Sequence, residues 1–330
     1  MIEPPSPQPG AANAVPDSRA RYRGALLGLA AGDALGTTLE FEPPGTFTPI
    51  TDMVGGGPFG LEAGEWTDDT AMALCLAASL VECEGFDLVD QMERYVRWYR
   101  NGYMSATGSC FDIGHTVAAA LARFESRGNP FAGDRAPRFG GNGSLMRLAP
   151  VPLAFAHDPY EAIRLAAVMS RTTHSAAEPV SACRYLAGLM VGALRGVPKE
   201  RLLAARYSPM PELWDHHPLA PRVDAVAAGS FKTRRPPDIR GTGYVVQTLE
   251  AALWAFWTTD DFASGALAAV NLGEDADTTG AVYGQLAGAW YGIDGIPRPW
   301  IDRIAMKEQI LDLADGLLAL ATAPALSEVP

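Results

Sequence analysis

Two short acidic stretches carry the densest chemistry in the chain: Gly64-Glu65-Trp66-Thr67-Asp68-Asp69-Thr70 and Asn271-Leu272-Gly273-Glu274-Asp275-Ala276-Asp277-Thr278-Thr279-Gly280. Each runs into an apolar segment with helical spacing. Taken alone, Thr67 suits a helix N-cap, and Asp68 and Asp69 suit the positive end of a helix dipole. Taken together, the stretches bring carboxylates and hydroxyls to two helix N-termini. Carboxylates brought close repel and raise one another's pKa unless cations sit among them. An all-oxygen donor set selects hard cations, Mg²⁺, Mn²⁺ or Ca²⁺, over Zn²⁺, which favours His and Cys. Two such ions sharing a water generate a nucleophile near neutral pH. On a regular helix Asp275 and Asp277 would point about 200° apart. Convergence therefore requires Asp275 on an irregular turn ahead of the helix, where it shares a side with Thr278.

Three further segments are polar and glycine-rich. Residues 102–114 form a loop leading into a helix, with Asp112 near its start as either an N-cap or a functional acid. The run Gly140-Gly141-Asn142-Gly143-Ser144-Leu145-Met146-Arg147 resembles a backbone nest, whose N–H groups cradle phosphate at a helix start. Ser170-Arg171-Thr172-Thr173-His174-Ser175 sets a histidine at a helix start, as a buried or capping residue or as a catalyst.

Apolar residues elsewhere recur mostly at helical spacing, with few period-two stretches, and the chain reads as all-α. The spacing predicts helices near 19–36, 68–84, 86–101, 112–126, 143–156, 159–170, 174–195, 215–228, 243–258, 261–271, 277–291 and 299–321, divided by Gly and Pro clusters. With no linker and no tandem repeat, one domain over 19–322 is expected, between a disordered tail (1–18) and a flexible C-terminus (323–330). The first helix carries Gly24, Gly28, Gly32 and Gly36 on nearly one face. Each costs about 1 kcal/mol against alanine, which close backbone packing on a neighbouring helix would offset; that packing could also place Asp33 and Glu40 at a site.

The formal net charge of −12 excludes binding that rests on neutralising a nucleic-acid backbone, and an anionic substrate would need a bound cation. No run of 18 apolar residues implies a membrane span, and residues 1–18 lack the apolar core of a signal peptide. Cys75, Cys83, Cys110 and Cys183 are widely spaced and read as reduced, mostly buried thiols of a cytoplasmic protein.

These segments, in this order, resemble the ADP-ribosylglycohydrolase family, also called dinitrogenase reductase-activating glycohydrolase-like. The likeness rests on GDALGTTLEF (32–41), WTDDT (66–70), TGSCFDIG (107–114), GNGSLMR (141–147), RTTHS (171–175) and NLGEDADTTGAVYGQLAGA (271–289), and spans roughly residues 20–300. The resemblance implies a compact, single-domain orthogonal helical bundle with two Mg²⁺ or Mn²⁺ ions. By motif match Thr67, Asp68, Asp69, Asp275, Asp277 and Thr278 would be the ligands. Glu40 and Asp112 would lie beside metals and substrate and handle protons, with Asp69 and Asp277 completing the catalytic set. Asn142, Gly143, Ser144, Met146, His174 and Tyr244 would line the ADP-ribose cleft. The implied reaction removes ADP-ribose from arginine side chains of a modified protein, a metal-activated water attacking the anomeric carbon of the distal ribose. The alternatives are hydrolysis of another linkage (serine, O-acetyl-ADP-ribose or nucleic acid) and a non-catalytic ADP-ribose-binding regulator. Within residues 207–240, which also hold His216-His217, the cationic run Lys232, Arg234, Arg235 would be a solvated loop or a contact with the modified partner.

Overall fold

The structure, a computed structural model, describes residues 17–323. The tail expected over 1–18 and the C-terminus over 323–330 therefore lie almost wholly outside the described residues. The first helices are α1 (Ser18–Gly36), α2 (Asp68–Glu82), α3 (Leu88–Asn101) and α4 (His115–Arg127). The middle of the chain forms α5 (Pro150–Ala154), α6 (Pro159–Ser170), α7 (Ala177–Leu194), α8 (Lys199–Leu202), α9 (Leu213–His216), α10 (Pro221–Ala227) and α11 (Ser230–Thr233). The last part forms α12 (Val245–Thr258), α13 (Phe262–Val270), α14 (Ala276–Tyr291), α15 (Arg298–Arg303) and α16 (Lys307–Thr322). The fold is all-α, and extended pairing among the described residues is limited to isolated bridges such as Gly141 with Tyr244. Apolar side chains from nearly every helix join one contiguous core.

The centre of that core is the antiparallel pair α1 and α14. Gly24, Gly28, Gly32 and Gly36 meet Gly288, Gly284, Gly280 and Ala276 in turn, backbone on backbone. A Cβ added at Gly32 would fall far inside contact with the Gly280 carbonyl, and one at Gly280 inside contact with the Gly32 carbonyl. The four-residue glycine spacing is thus an interlocking seam, and both helices are buried along almost their whole length. The seam ends with Gly36 against Ala276 and Asp277, the point where α14 begins.

Several helix boundaries depart from the periodicity. The helix expected over 112–126 starts at His115, because Asp112 takes a left-handed φ of 55°. The one expected over 143–156 shrinks to α5; residues 142–148 instead turn around the buried Arg147. Met306, at φ 54°, divides 299–321 into α15 and α16, and Pro218 and Pro221 divide 215–228 into α9 and α10. Cys75 and Cys183 are buried, whereas Cys83, at the end of α2, is exposed and corrects the expectation of mostly buried thiols.

The seam gives a direct test. Gly32→Ala should destabilise the protein by about 1–3 kcal/mol or more through overpacking, seen as a lower urea midpoint. Gly85→Ala, whose Cβ would meet only Cys83 O at 3.9 Å, is the control. Equal midpoints for both variants would show that the seam is not held by backbone contact.

Candidate active site

The site forms where the N-termini of α2 and α14 point at the end of the α1 seam. Helix α2 leaves its first N–H groups unpaired, as every helix does, and Asp33 of α1 takes them. Thr67 N and Oγ1 donate to Asp33 Oδ1 at 2.9 and 3.0 Å, and Thr70 N and Oγ1 donate to Asp33 Oδ2 at 3.0 and 2.6 Å. One buried carboxylate thus caps a helix distant in sequence. Thr67 occupies the N-cap position but makes no capping bond of its own. Its hydroxyl also lies 3.3 Å from Asp69 Oδ2 and 3.1 Å from Asp277 Oδ2. A hydroxyl has one proton to donate, so its lone pairs meet carboxylate oxygen, an arrangement that a cation would resolve. Thr278 Oγ1, 3.3 Å from the same Asp69 oxygen, repeats it.

The second N-terminus is reached through Gly273 and Glu274, both left-handed at φ 71° and 57°. This irregular turn sets Asp275 before the helix, where it makes no capping bond; Asp277 falls in the first turn. Asp275 Oδ2 instead accepts a 2.6 Å hydrogen bond from Asn142 Nδ2. Two groups of carboxylate oxygens result, each lying within 4.8 Å of one another: Asp68, Asp69 and Asp277, and Glu40, Asp112 and Asp277. Asp277 belongs to both. Buried Asp69 Oδ1, Asp277 Oδ1 and Glu40 Oε2 have no hydrogen-bond partner. Anionic oxygens orphaned among other carboxylates are costly unless a cation completes them. The residues present fit a hard divalent cation on that observation.

Asp275 lies outside both groups, held to the glycine-rich loop through Asn142, which also donates to Thr248 Oγ1 at 3.0 Å. Of the residues expected to line a cleft, Gly143 and Tyr244 are part-exposed. Tyr244 starts α12, bridges to Gly141, donates to Glu178 Oε2 at 2.7 Å and accepts from Arg222 at 3.0 Å. Ser144, Met146 and His174 are buried behind the loop, 0%, 3% and 2% exposed. Ser144 bonds Ser170 at 2.8 Å, and the His174 ring lies directly beneath Gly143 with Nδ1 on Thr173 Oγ1 at 2.8 Å. Burial, then the neighbouring Arg147 charge, lowers the His174 pKa to about 3 and keeps the ring neutral. Of the cationic run, Arg234 pairs with Glu250 at 2.9 Å and Lys232 lies over the Trp257 ring.

Two supports escaped the sequence reading. Arg147, fully buried, donates to Gly143 O at 2.9 Å and Thr173 Oγ1 at 2.6 Å. Gln285 of α14 donates to the carbonyls of Leu145 and Met146 at 3.2 and 3.1 Å. Together they hold the loop from behind. A polar residue inside the apolar stripe of α14 was the available signal for Gln285.

A family model described as ADP-ribosylglycohydrolase matches residues 14–326. The chain is 45% identical over 297 residues to "ADP-ribosylarginine hydrolase Tri1" of Pseudomonas putida (strain GB-1), covering 90% of this chain and 77% of that protein. It is 41% identical over 309 residues to the protein of the same name from Serratia proteamaculans (strain 568), covering 93% and 82%. A solved structure described as "ADP-ribosylglycohydrolase-related protein complex" superposes with a TM-score of 0.81 at 46% identity, over 92% of this chain and 99% of that one. Among the described residues no helix is long and apolar enough to cross a membrane.

The acidic centre has a further physical property: its carboxyls hold protons tightly. Burial first, then the Asp112 charge, raises Glu40 to about 9; burial raises Asp112 to about 7 and, against four hydrogen bonds, Asp33 to about 6. Burial and neighbouring carboxylates push Asp68, Asp69 and Asp277 well above the ordinary range. The folded chain therefore keeps protons that the unfolded chain has released, and stability falls as pH rises across that interval. In EDTA, the melting temperature should drop between about pH 4 and 9, starting from ordinary values of 3.8 and 4.5. Added Mn²⁺ competes with those protons, so its stabilisation should grow with pH. A melting temperature that rises with pH in EDTA, or an Mn²⁺ increment that shrinks, would overturn this account.

Proposed function

The chain belongs to the ADP-ribosylglycohydrolase family of hydrolases, and from that premise we propose that it removes ADP-ribose from modified arginine side chains of a protein. The observation that carries the reading is the pair of carboxylate groups sharing Asp277, with buried oxygens left unpartnered. Arginine linkage is supported by the names of the Pseudomonas and Serratia relatives. A relative from Rhodospirillum rubrum, 34% identical over 319 residues, is named "ADP-ribosyl-[dinitrogen reductase] glycohydrolase".

In this reading Asp68, Asp69, Asp275 and Asp277, with the hydroxyls of Thr67 and Thr278, hold two Mg²⁺ or Mn²⁺ ions. Bound there, divalent cations supply Lewis-acid polarisation of ribose hydroxyls and a lowered water pKa. Asp33 keeps Thr67 and the start of α2 in place, and Asn142 orients Asp275. Glu40 and Asp112 bring carboxylate oxygens within 4.8 Å of each other, and the Asp112 charge helps hold the Glu40 proton. Asp112, raised to about 7, is the member that can lose and regain a proton near neutrality; it delivers one to the departing guanidine nitrogen or takes one from the incoming water. The surrounding carboxylates stabilise positive charge developing at the anomeric carbon. The turn over 141–144 offers backbone N–H groups to the pyrophosphate, and Tyr244 closes the loop's outer side. A protein of net charge −12 accepts a dinucleotide-like anion only where cations and helix N-termini reverse the local field.

Release of free ADP-ribose from an ADP-ribosyl-arginine protein tests the proposal. Turnover should require Mg²⁺ or Mn²⁺, vanish in EDTA, and fall roughly 100-fold or more in Asp277→Asn, the scale of losing one charge-stabilising group. A serine-linked substrate run in parallel should turn over more slowly. Undiminished release in EDTA or in Asp277→Asn would refute the metal assignment. A preference for the serine linkage would refute the substrate assignment.

A further inference from the structure

Three phenylalanines meet ring to ring, two of them chain neighbours of Glu40 and Asp112, and the proposed reaction does not use them. Phe41 follows Glu40 in the chain and Phe111 precedes Asp112; Phe59 sits between their rings. The Phe41 and Phe59 centroids are 6.5 Å apart at 72°, and those of Phe59 and Phe111 are 5.2 Å apart at 55°. Rings tilted in this way do not cover one another's faces, and Phe41 is 65% exposed. Its backbone is also unusual. A φ of 63° is a costly conformation for a bulky residue and persists only where the surroundings impose it. Here the Phe41 N–H donates to Glu274 O at 2.7 Å, so the turn that precedes Asp275 also holds Phe41 outward.

The Phe59 loop is fixed with similar care. Gly57 lies against the Thr37 carbonyl, Thr38 Oγ1 donates to Gly55 O at 3.0 Å, and Gly56 and Leu61 exchange backbone hydrogen bonds of 2.7 and 3.0 Å. Three separate stretches of chain thus bring rings together, and two of these residues directly flank Glu40 and Asp112 in the chain. Phe41 therefore presents an exposed ring face, backed by the part-buried Phe59 and Phe111.

We propose that Phe41, Phe59 and Phe111 form the acceptor subsite, an aromatic wall that receives the guanidinium of the modified arginine. The inference rests on the arginine-hydrolase reading and names the part of the protein that enforces it. A glycosylated guanidinium is planar and cationic. It stacks on aromatic faces and is drawn to their negative quadrupole, while Glu40 and Asp112 supply the complementary charge and accept its N–H groups. A seryl oxygen has neither the plane nor the charge, so the wall discriminates between linkages at the acceptor side and leaves the ADP-ribose side to the loop around Gly143.

The test compares kcat/KM for an ADP-ribosyl-arginine protein among the parent chain, Phe41→Leu, Phe41→Tyr and Phe111→Leu, with inhibition by free ADP-ribose measured on each. Leucine keeps apolar bulk but loses the ring face. Both leucine variants should lose roughly 3- to 30-fold in kcat/KM, the range a stacked cation spans, mainly through KM. Phe41→Tyr, which keeps the ring face, should lose less than Phe41→Leu, and inhibition by ADP-ribose and the Mn²⁺-dependent melting shift should not change in any variant. The proposal falls if Phe41→Leu matches the parent, or if it loses ADP-ribose affinity in proportion, which would assign the rings to the nucleotide. It also falls if the parent sediments as a dimer that Phe41→Leu dissociates without altering kcat/KM, which would make the patch a self-association surface. A parent chain inert on the arginine linkage but active on another would remove the functional reading itself, and this subsite with it.

Discussion

The contact on which the structure depends is the one between the α1 and α14 backbones. Side chains normally keep helix axes about 8–10 Å apart; removing Cβ atoms from both faces lets carbonyls meet Cα hydrogens across the gap, each such contact adding a small attraction. The gain is positional more than energetic. With no flexible side chain between them, the two helices cannot shift in register without collision, and the seam fixes where α14 begins relative to the end of α1. Asp33 and Asp277 occupy those ends. Everything acidic in the centre is placed relative to them: Thr67 and Thr70 through Asp33, Asp69 through Thr67, and Glu40 through the short turn after Gly36.

That arrangement concentrates negative charge where a folded chain would usually avoid it. Two features offset the cost within the protein alone. The positive ends of α2 and α14 face the cluster, and Asp33 is shielded by four donors. The remainder is met by retained protons or by cations, and the two compete for the same oxygens. Stability, metal occupancy and proton inventory at this centre are therefore one coupled quantity rather than three.

The sequence exposed the parts of this design that are local. The paired acid-rich stretches, the hydroxyls beside them, the need for an irregular turn at Asp275 and the glycine stripe of α1 all follow from residue type and spacing. What it concealed were contacts between residues far apart in the chain. Nothing in the spacing says that Asp33 caps a helix 34 residues later, that Asn142 reaches Asp275, or that Arg147 spends its charge on a loop carbonyl and a threonine. The misplaced helix over 143–156 has the same origin: its apolar residues are spaced for a helix, but the buried guanidinium and amide draw the backbone into turns. For His174, Ser144 and Met146 the motif named the segment but not its depth, since periodicity cannot tell the front of a loop from its support.

The neutrality of His174 has a consequence for how this centre is interrogated. In an unfamiliar hydrolase, a kinetic inflection between pH 6 and 8 is assigned by habit to imidazole, the side chain whose unperturbed titration lies there. Here the ring sits under a glycine and beside a guanidinium, and it titrates far below that interval. Its place is taken by carboxyls displaced upward into the same range. Diethyl pyrocarbonate, the usual chemical probe for such a group, would find a sheltered ring with no part in the ionisation, whereas a carbodiimide would report on the groups that carry it.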